Sequence, residues 1–476
     1  MHSLEEIFHP KSIAVTGASQ NPSSRGYSYT DHLINYGFKG QIYPVNPKYS
    51  VILGHKAYPS VADIPGEVDY VISCVPAPQV LKMLEDCSQK RVKAIHFFTA
   101  RFSETGNQQA AELEQEILKQ AQKSGIRLIG PNCMGLYYPK EGISFAYDLP
   151  LESGPVGFIS QTGGGAATFV HMAGMRGIRF SKVISYGNAL DFTETDYLEY
   201  MSQDPETEII LMYIEGVKDG RKFLNALRKA TGIKPVVVIK GGRGNAGTLS
   251  AASHTASIAG SSRTWEASIV QAGAVSALNL EEMTDLAVAF AFMPPIKGLR
   301  VGIAGGGGGP SVLAADECEE IGLEVIPLPP EIRQELKTRA PEIWDWIGNP
   351  TDASILGGFG FSGMDMLEMM SANDHFDILV ANNPEVPLAM KEDTILRFKT
   401  EVERYIELKK TTSKPFLVIL GEKSLNADDY THWRWQLTGE LRSELVANHI
   451  AFFPTIDRAA RAIKKVFGYY DRRLST

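Results

Sequence analysis

Cysteine is scarce in this chain. Its 476 residues carry four, Cys74, Cys87, Cys133 and Cys318, far apart and with no C-x-x-C pair. That spacing supports neither a disulfide framework nor a zinc site. Long hydrophobic runs are missing too: none approaches the roughly 20 apolar residues that cross a bilayer, and the longest are of strand length. Positive charge is not in excess, since 47 Lys and Arg face 55 Asp and Glu for a net charge of −8. The basic footprint of a nucleic-acid binder is therefore absent. The opening "MHSLEEIFHPKS" has neither the basic nor the apolar region of a secretion signal. Together these absences predict a cytoplasmic protein with no membrane and no nucleic acid among its partners. The chain is also too long for a single hydrophobic core, so several domains are expected.

What is present is a repeated alternation of short β-branched runs with longer amphipathic stretches, the βαβ pattern of parallel sheets covered by helices. The first set of strand-like runs is "SIAVTGA" (12–18), "QIYPVN" (41–46), "DYVISCVP" (69–76), "KAIHFFTA" (93–100) and "RLIGPN" (127–132). These five predict a Rossmann-like unit over residues 1–150, with "LESGPVG" (151–157) as a linker. A second unit, 151–295, holds "VGFIS" (156–160), "SKVISYG" (181–187), "EIILMYIEG" (208–216) and "KPVVVIKGG" (234–242). It closes with the helical stretch "LEEMTDLAVAFAFM" (280–293), and "PPIKG" (294–298) is the next break. A third, 296–476, holds "RVGIAGGG" (300–307), "LEVIPLP" (323–329), "FDILVAN" (376–382) and "KPFLVILG" (414–421). The predicted class is α/β throughout.

Loops that follow strands of such sheets are where ligands bind. "VTGASQNPSSRG" enters the first helix with small residues that let backbone N–H groups approach a phosphate. It is not G-x-G-x-x-G, and the second strand ends in "YPVNPK", offering Lys48 where a dinucleotide site wants an acid. A nicotinamide-linked oxidoreductase is disfavoured on both counts, and a phosphorylated adenine-type ligand fits better. In the second unit "SQTGGGAA" (160–167) is another anion-binding turn, without the lysine of a Walker loop. Glu215 ends a strand in "YIEG", where it reads equally as an exposed turn carboxylate or as a site residue.

His254 stands among small residues in "SAASHTASIAGS" (250–261). As a metal ligand it lacks a second His, Cys or carboxylate at the usual spacing, and no metal site is predicted. As a core histidine it lacks a periodic apolar surround. A lone imidazole on a loop of small residues, titrating near neutrality, suits a nucleophile that is transiently modified.

These segments resemble a known family. "SHTASIAGS" is similar to the phosphohistidine loop of the nucleoside-diphosphate-forming acyl-CoA synthetases, relatives of succinyl-CoA synthetase. "GPNCMG", "GFISQTGG", "SYGNALD", "YIEGVKDGRKF" and "NPTD" (349–352) follow in that family's order, and the whole resembles the α subunit of the ADP-forming acetyl-CoA synthetase type. The resemblance implies a Rossmann-like CoA-binding domain followed by two flavodoxin-like domains. It implies a ligase that interconverts acyl-CoA, ADP and phosphate with carboxylic acid, ATP and CoA, through an acyl phosphate and a phosphohistidine. His254 would carry the phosphoryl group, and Glu215 would fix its tautomer. Ser160, Thr162, Gly163 and Gly164 would hold phosphate, and Gly17, Ser19, Asn46, Lys48, Pro76 and Cys133 would surround CoA. ADP or ATP with Mg2+ would sit on a separate ATP-grasp β subunit, in an α2β2 assembly, since no segment here is left to supply that domain. Three positions depart from the family pattern: Thr162 for serine, Ala256 for glycine, and "AGGGGGP" (304–310). They motivate the alternative of a non-catalytic CoA-binding or regulatory paralogue.

Overall fold

The computed structural model describes residues 4–244, 246–247, 262–356, 359–383, 391–421 and 429–474. His254 lies outside the described residues. The chain forms two compact units, Met1–Met283 and Thr284–Thr476, the first holding two large sheets and the second one.

The first sheet contains β1 (Ser12–Thr16), β2 (Gln41–Val45), β5 (Tyr70–Ser73), β6 (Ala94–Phe97) and β7 (Arg127–Ile129). A two-stranded ribbon of β3 (Val51–Ile52) and β4 (His55–Lys56) lies between β2 and β5 in sequence. The spatial order is β2-β1-β5-β6-β7, all parallel. β1, β5 and β6 are buried at every residue, because helices cover both faces of a parallel sheet. The helix Gln108–Ser124 shows how sequence sets the crossovers: Asn107 caps its start by accepting from Ala110 N–H, and Gly125 ends it at φ 71°. The chain runs from β1 out to β2 and returns past β1 to β5. The loops after β1 and β5 therefore meet at the point where the winding reverses, where ligands bind such sheets.

The second sheet contains β8 (Gly135–Tyr137), β9 (Ser153–Ser160), β10 (Phe180–Ser185), β11 (Ile209–Ile214), β12 (Val236–Lys240) and β13 (Val275–Ala277), ordered β13-β12-β11-β9-β10-β8. Five strands are parallel and β8 pairs antiparallel with β10. Its winding reverses between β9 and β11. Two expectations change here. Part of the linker expected at 151–157 is already strand, since β9 starts at Ser153; Pro155, which lacks an N–H, sits just before the paired stretch that begins at Val156. Strand β8, three residues long, carries too short a pattern to be read from sequence, and it adds residues 135–137 to the second sheet rather than the first.

The second unit has a four-stranded parallel sheet, β14 (Val301–Ala304), β15 (Ile378–Asn383), β16 (Phe416–Leu420) and β17 (Ala451–Phe453), in that order. The strand expected at "LEVIPLP" is not formed. Only Glu324 bridges to Arg300, and the prolines that follow cannot donate to a ladder. The edge of β14 is instead covered by the "NPTD" segment. Asn349 accepts from Ile303 N–H and donates to the carbonyls of Val301 and Ile326, while Thr351 exchanges backbone bonds with Ile303 and Gly305. That motif is scaffold, satisfying polar groups an open edge would leave bare.

Candidate active site

At the reversal point of the second sheet, β9 runs into a turn and then into the helix Gly163–Gly174. Ser160 is fully buried, and its hydroxyl donates to the Thr162 carbonyl at 2.8 Å, which folds the turn tightly. Thr162 is the N-cap residue in an extended conformation, and its side chain makes no capping hydrogen bond. The first-turn N–H groups, on Gly163, Gly164 and Gly165, thus form the positive end of a twelve-residue helix with no side chain closing it. Among the described residues a Cβ at Gly164 would meet nothing within 4 Å, whereas one at Gly163 would fall 3.0 Å from the Met134 side chain and one at Gly165 would fall 2.5 Å from that of Thr162, so the space beside the turn is at Gly164.

Glu215 follows β11 directly across from this turn. Gln161 joins the two: its Oε1 accepts from the backbone N–H of Glu215 at 2.8 Å and of Gly216 at 3.0 Å. Tyr213 Oη donates to the Glu215 carboxylate at 3.5 Å, and Lys240 Nζ donates to the Glu215 carbonyl at 2.6 Å. Burial lowers the Lys240 ammonium pKa, with the Glu215 charge opposing it.

Between turn and carboxylate lies a cavity of about 480 Å³, lined on this side by Gln161, Thr162, Gly163, Gly164 and Glu215. Its other wall comes from the first sheet and the loop after β10: Phe98, Ala100, Asn132, Cys133, Met134, Gly187 and Asn188. These segments interlock. Asn188 N–H donates to the Pro131 carbonyl and Leu190 N–H to that of Gly130, while Asn188 Nδ2 donates to Glu104 and to the buried Glu114 at 2.8 and 3.0 Å. Gly187, at φ 55°, is where the backbones touch, since a Cβ there would fall 2.2 Å from the Pro131 carbonyl oxygen. The Cys133 thiol is buried, points at the carbonyls of Phe97 and Ile129, and is pushed well up in pKa by desolvation, so it is held as an unreactive thiol.

Of the residues singled out from sequence, the structure brings Thr162, Gly163, Gly164, Glu215 and Cys133 to this cavity; Ser160 lies beneath it. Gly17, Ser19, Asn46, Lys48 and Pro76 gather at the edge of the first sheet, and His254 lies outside the described residues. Gly17, at φ 77°, donates its N–H to the Val45 carbonyl and leaves no room for a Cβ, which would fall 2.9 Å from the Cys74 carbonyl oxygen. Asn46 Nδ2 donates to the Ala18 carbonyl at 2.6 Å, Lys48 N–H donates to Asn46 Oδ1, and Ser19 accepts from Asn21 N–H. Lys48 and Pro76 are exposed. The small-residue loop and the exposed lysine fit a phosphorylated ligand. Arg25, which opens the next helix, stands over the Phe98 ring at 5.3 Å and so joins this edge to the cavity. Gln161, Asn188 and Arg25 had no spacing pattern to mark them. Gln161 sits inside "GFISQTGG", where the glycines draw attention and the amide does not. Among the described residues no group of three or more His, Cys, Asp or Glu could hold a metal ion, and no helix is long and apolar enough to cross a membrane.

A profile of the CoA binding domain matches residues 11–139, and one of the succinyl-CoA ligase like flavodoxin domain matches 153–290. The α subunit of acetate–CoA ligase (ADP-forming) II of Pyrococcus furiosus is 39% identical over 378 residues, 79% of this chain and 82% of that one. The chain belongs to the NDP-forming acyl-CoA synthetase family. Acetate–CoA ligase (ADP-forming) I of Archaeoglobus fulgidus is 36% identical over 379 residues, and the match spans 54% of that longer protein. Over the full chain the fold is similar to a structure of acetyl-coenzyme A synthetase 1 of Ca. Korarchaeum cryptofilum, described as dinucleotide forming and in complex with phosphate and ADP. The TM-score is 0.81 at 31% identity, covering 100% of this chain and 98% of that one. Within this acyl-CoA synthetase chain the Gly17 loop falls in the CoA-binding match, and the Gln161–Gly164 turn and Glu215 fall in the ligase match.

Proposed function

We propose that this chain is the α subunit of an ADP-forming acyl-CoA synthetase, catalysing acyl-CoA + ADP + phosphate ⇌ carboxylic acid + ATP + CoA. The observation that carries the reading is the cavity in which an uncapped helix N-terminus faces Glu215, with the first sheet's ligand-binding edge alongside. CoA lies along Gly17, Ser19, Asn46, Lys48, Pro76 and Cys133, within a domain ending near residue 150. The ligase domains divide near residue 295.

Phosphate bound at Thr162, Gly163 and Gly164 attacks the thioester carbonyl; CoA leaves as thiolate and an acyl phosphate forms. The amides at the helix start offset the charge that develops on the phosphate oxygens. His254 then displaces carboxylate from phosphorus. Its imidazole becomes a phosphohistidine, with Glu215 accepting from the other ring nitrogen and stabilising the positive charge. The phosphoryl group passes from His254 to ADP held with Mg2+ by an ATP-grasp β subunit in an α2β2 assembly.

The test mixes the chain and its partner subunit with acetyl-CoA and labelled phosphate. Wild-type protein takes up acid-labile label that ADP discharges as ATP, and His254→Ala takes up none. Label in His254→Ala at the wild-type level overturns the assignment. CoA binding without any label in the wild type favours a regulatory paralogue. A panel of short, hydroxylated and aromatic acids in the reverse direction then assigns the acyl group.

A further inference from the structure

The amide of Gln161 is used at one end only. Two backbone N–H groups, of Glu215 and Gly216, converge on it, and because a backbone N–H can only donate, the atom they meet is the oxygen. That fixes the flip of the side chain: Nε2 is the other end. Gln161 is 7% exposed and lines the cavity, and Nε2 has no hydrogen-bond partner among the described residues. Nε2 is not sealed from solvent like the buried unpartnered atoms elsewhere in the described residues; it opens on the cavity, where water completes it in the free protein and a bound oxygen would replace that water. Next along the chain are Thr162 and the uncapped amides of Gly163 and Gly164.

We propose that Gln161 contacts substrate: its Nε2 donates a hydrogen bond to an oxygen of the phosphate or phosphoryl group held at the start of the helix Gly163–Gly174. The proposal deepens the reading above and rests on it. One side chain then does two things. Its oxygen sets the position of the Glu215 backbone, and its nitrogen sets the position of the phosphate, so the carboxylate and the anion are registered against each other by one rigid amide. Neither role depends on the threonine at 162, whose hydroxyl leaves the helix uncapped.

Gln161→Glu separates the two ends. A carboxylate of the same shape still accepts from Glu215 and Gly216, and only the donor is lost, replaced by an oxygen that repels phosphate. In the assembled enzyme, kcat/KM for phosphate should fall by about 10²-fold or more, as when one donor to a developing oxyanion is removed. CoA affinity by calorimetry and the thermal midpoint should stay at wild-type values. A purely structural glutamine would give the opposite pattern, a lower thermal midpoint with kcat/KM for phosphate unchanged once the protein is folded. A kcat/KM for phosphate in Gln161→Glu within about twofold of wild type overturns the proposal. If the wild type itself takes no label from phosphate, the reading of the site fails first. Label in the wild type with an indifferent Gln161→Glu defeats this inference alone.

Discussion

Asp191 receives three hydrogen bonds from strand β7: Arg127 donates through Nε at 2.8 Å and Nη2 at 2.9 Å, and Leu128 donates its backbone N–H at 2.9 Å. The same guanidinium lies 3.7 Å above the Phe192 ring. The "SYGNALD" segment is thereby bolted to the edge of the first sheet, and that bolt holds Gly187 and Asn188 against the cavity. Asp191→Ala leaves a forked cation and a backbone donor unpaired. It should destabilise the protein by about 1–2 kcal/mol, the lower part of the range for charged hydrogen bonds because Arg127 is partly solvated. Urea unfolding of the two proteins measures it, and no change in midpoint would mean the pair is replaced by solvent without loss.

Gly187 predicts a larger effect. Its φ of 55° disfavours any side chain, and an added Cβ would meet the Pro131 carbonyl oxygen at 2.2 Å. The clash is with backbone on both sides, so no side-chain rotation relieves it. Gly187→Ala should cost about 2 kcal/mol or more, the sum of overpacking and left-handed strain. It should also lower phosphoenzyme formation, because the wall formed by Asn132 and Asn188 moves. A midpoint equal to wild type in urea would contradict the close approach.

Much of this was legible in the sequence, for physical reasons. Buried parallel strands such as "SIAVT" and "VVVI" (236–239) are mainly apolar runs, and the Asn107 and Gly125 caps announce their helix. The turn 160–164 and Glu215 could be placed at strand ends because strand ends are where apolar runs stop. What could not be read depends on contacts between distant segments. β8 is short and pairs with β10, 45 or more residues on, so no local period marks it. "LEVIPLP" has strand composition but its prolines deny it a ladder, and the edge goes to Asn349 and Thr351 instead. Gln161 matters through the flip of its amide, which only the backbone of Glu215 and Gly216 decides.

Two carboxylates give pH dependences of opposite sign. Burial alone would raise the Glu206 pKa, yet hydrogen bonds from Lys140, the buried Lys182 and Tyr138 hold it down to about 2. Its folded value is below the unfolded one, so its contribution is present above the ordinary 4.5 and is lost as pH falls toward 2. Glu194 is 1% exposed, and desolvation raises it, with the Lys218 N–H opposing. The native state therefore favours its protonated form, and stability falls as pH rises above 4.5. Glu206→Gln should flatten the acid limb of a stability–pH curve, and Glu194→Gln should raise stability at neutral pH while leaving the acid limb in place. Urea midpoints across pH 2–8 separate the two; a Glu194→Gln protein less stable than wild type at neutral pH would rule out the desolvation account.

Glu215 supplies the prediction closest to chemistry. Its backbone is held independently of its carboxylate, by Gln161 on the N–H and Lys240 on the carbonyl, so Glu215→Gln changes charge without loosening the end of β11. Lys240 should remain where it is, because its bonds go to the carbonyls of Glu215 and Gly241. Losing the negative charge removes the stabilisation of a positively charged imidazole and the preference for one tautomer. Phosphoenzyme formation should slow by about 10²- to 10⁴-fold, the range for removing an acid–base or orienting partner. CoA binding, at the other sheet's edge, should be untouched. Rapid-quench labelling from acetyl-CoA and phosphate reads the first quantity and calorimetry the second. Labelling at the wild-type rate in Glu215→Gln would show that the carboxylate faces the cavity without serving His254.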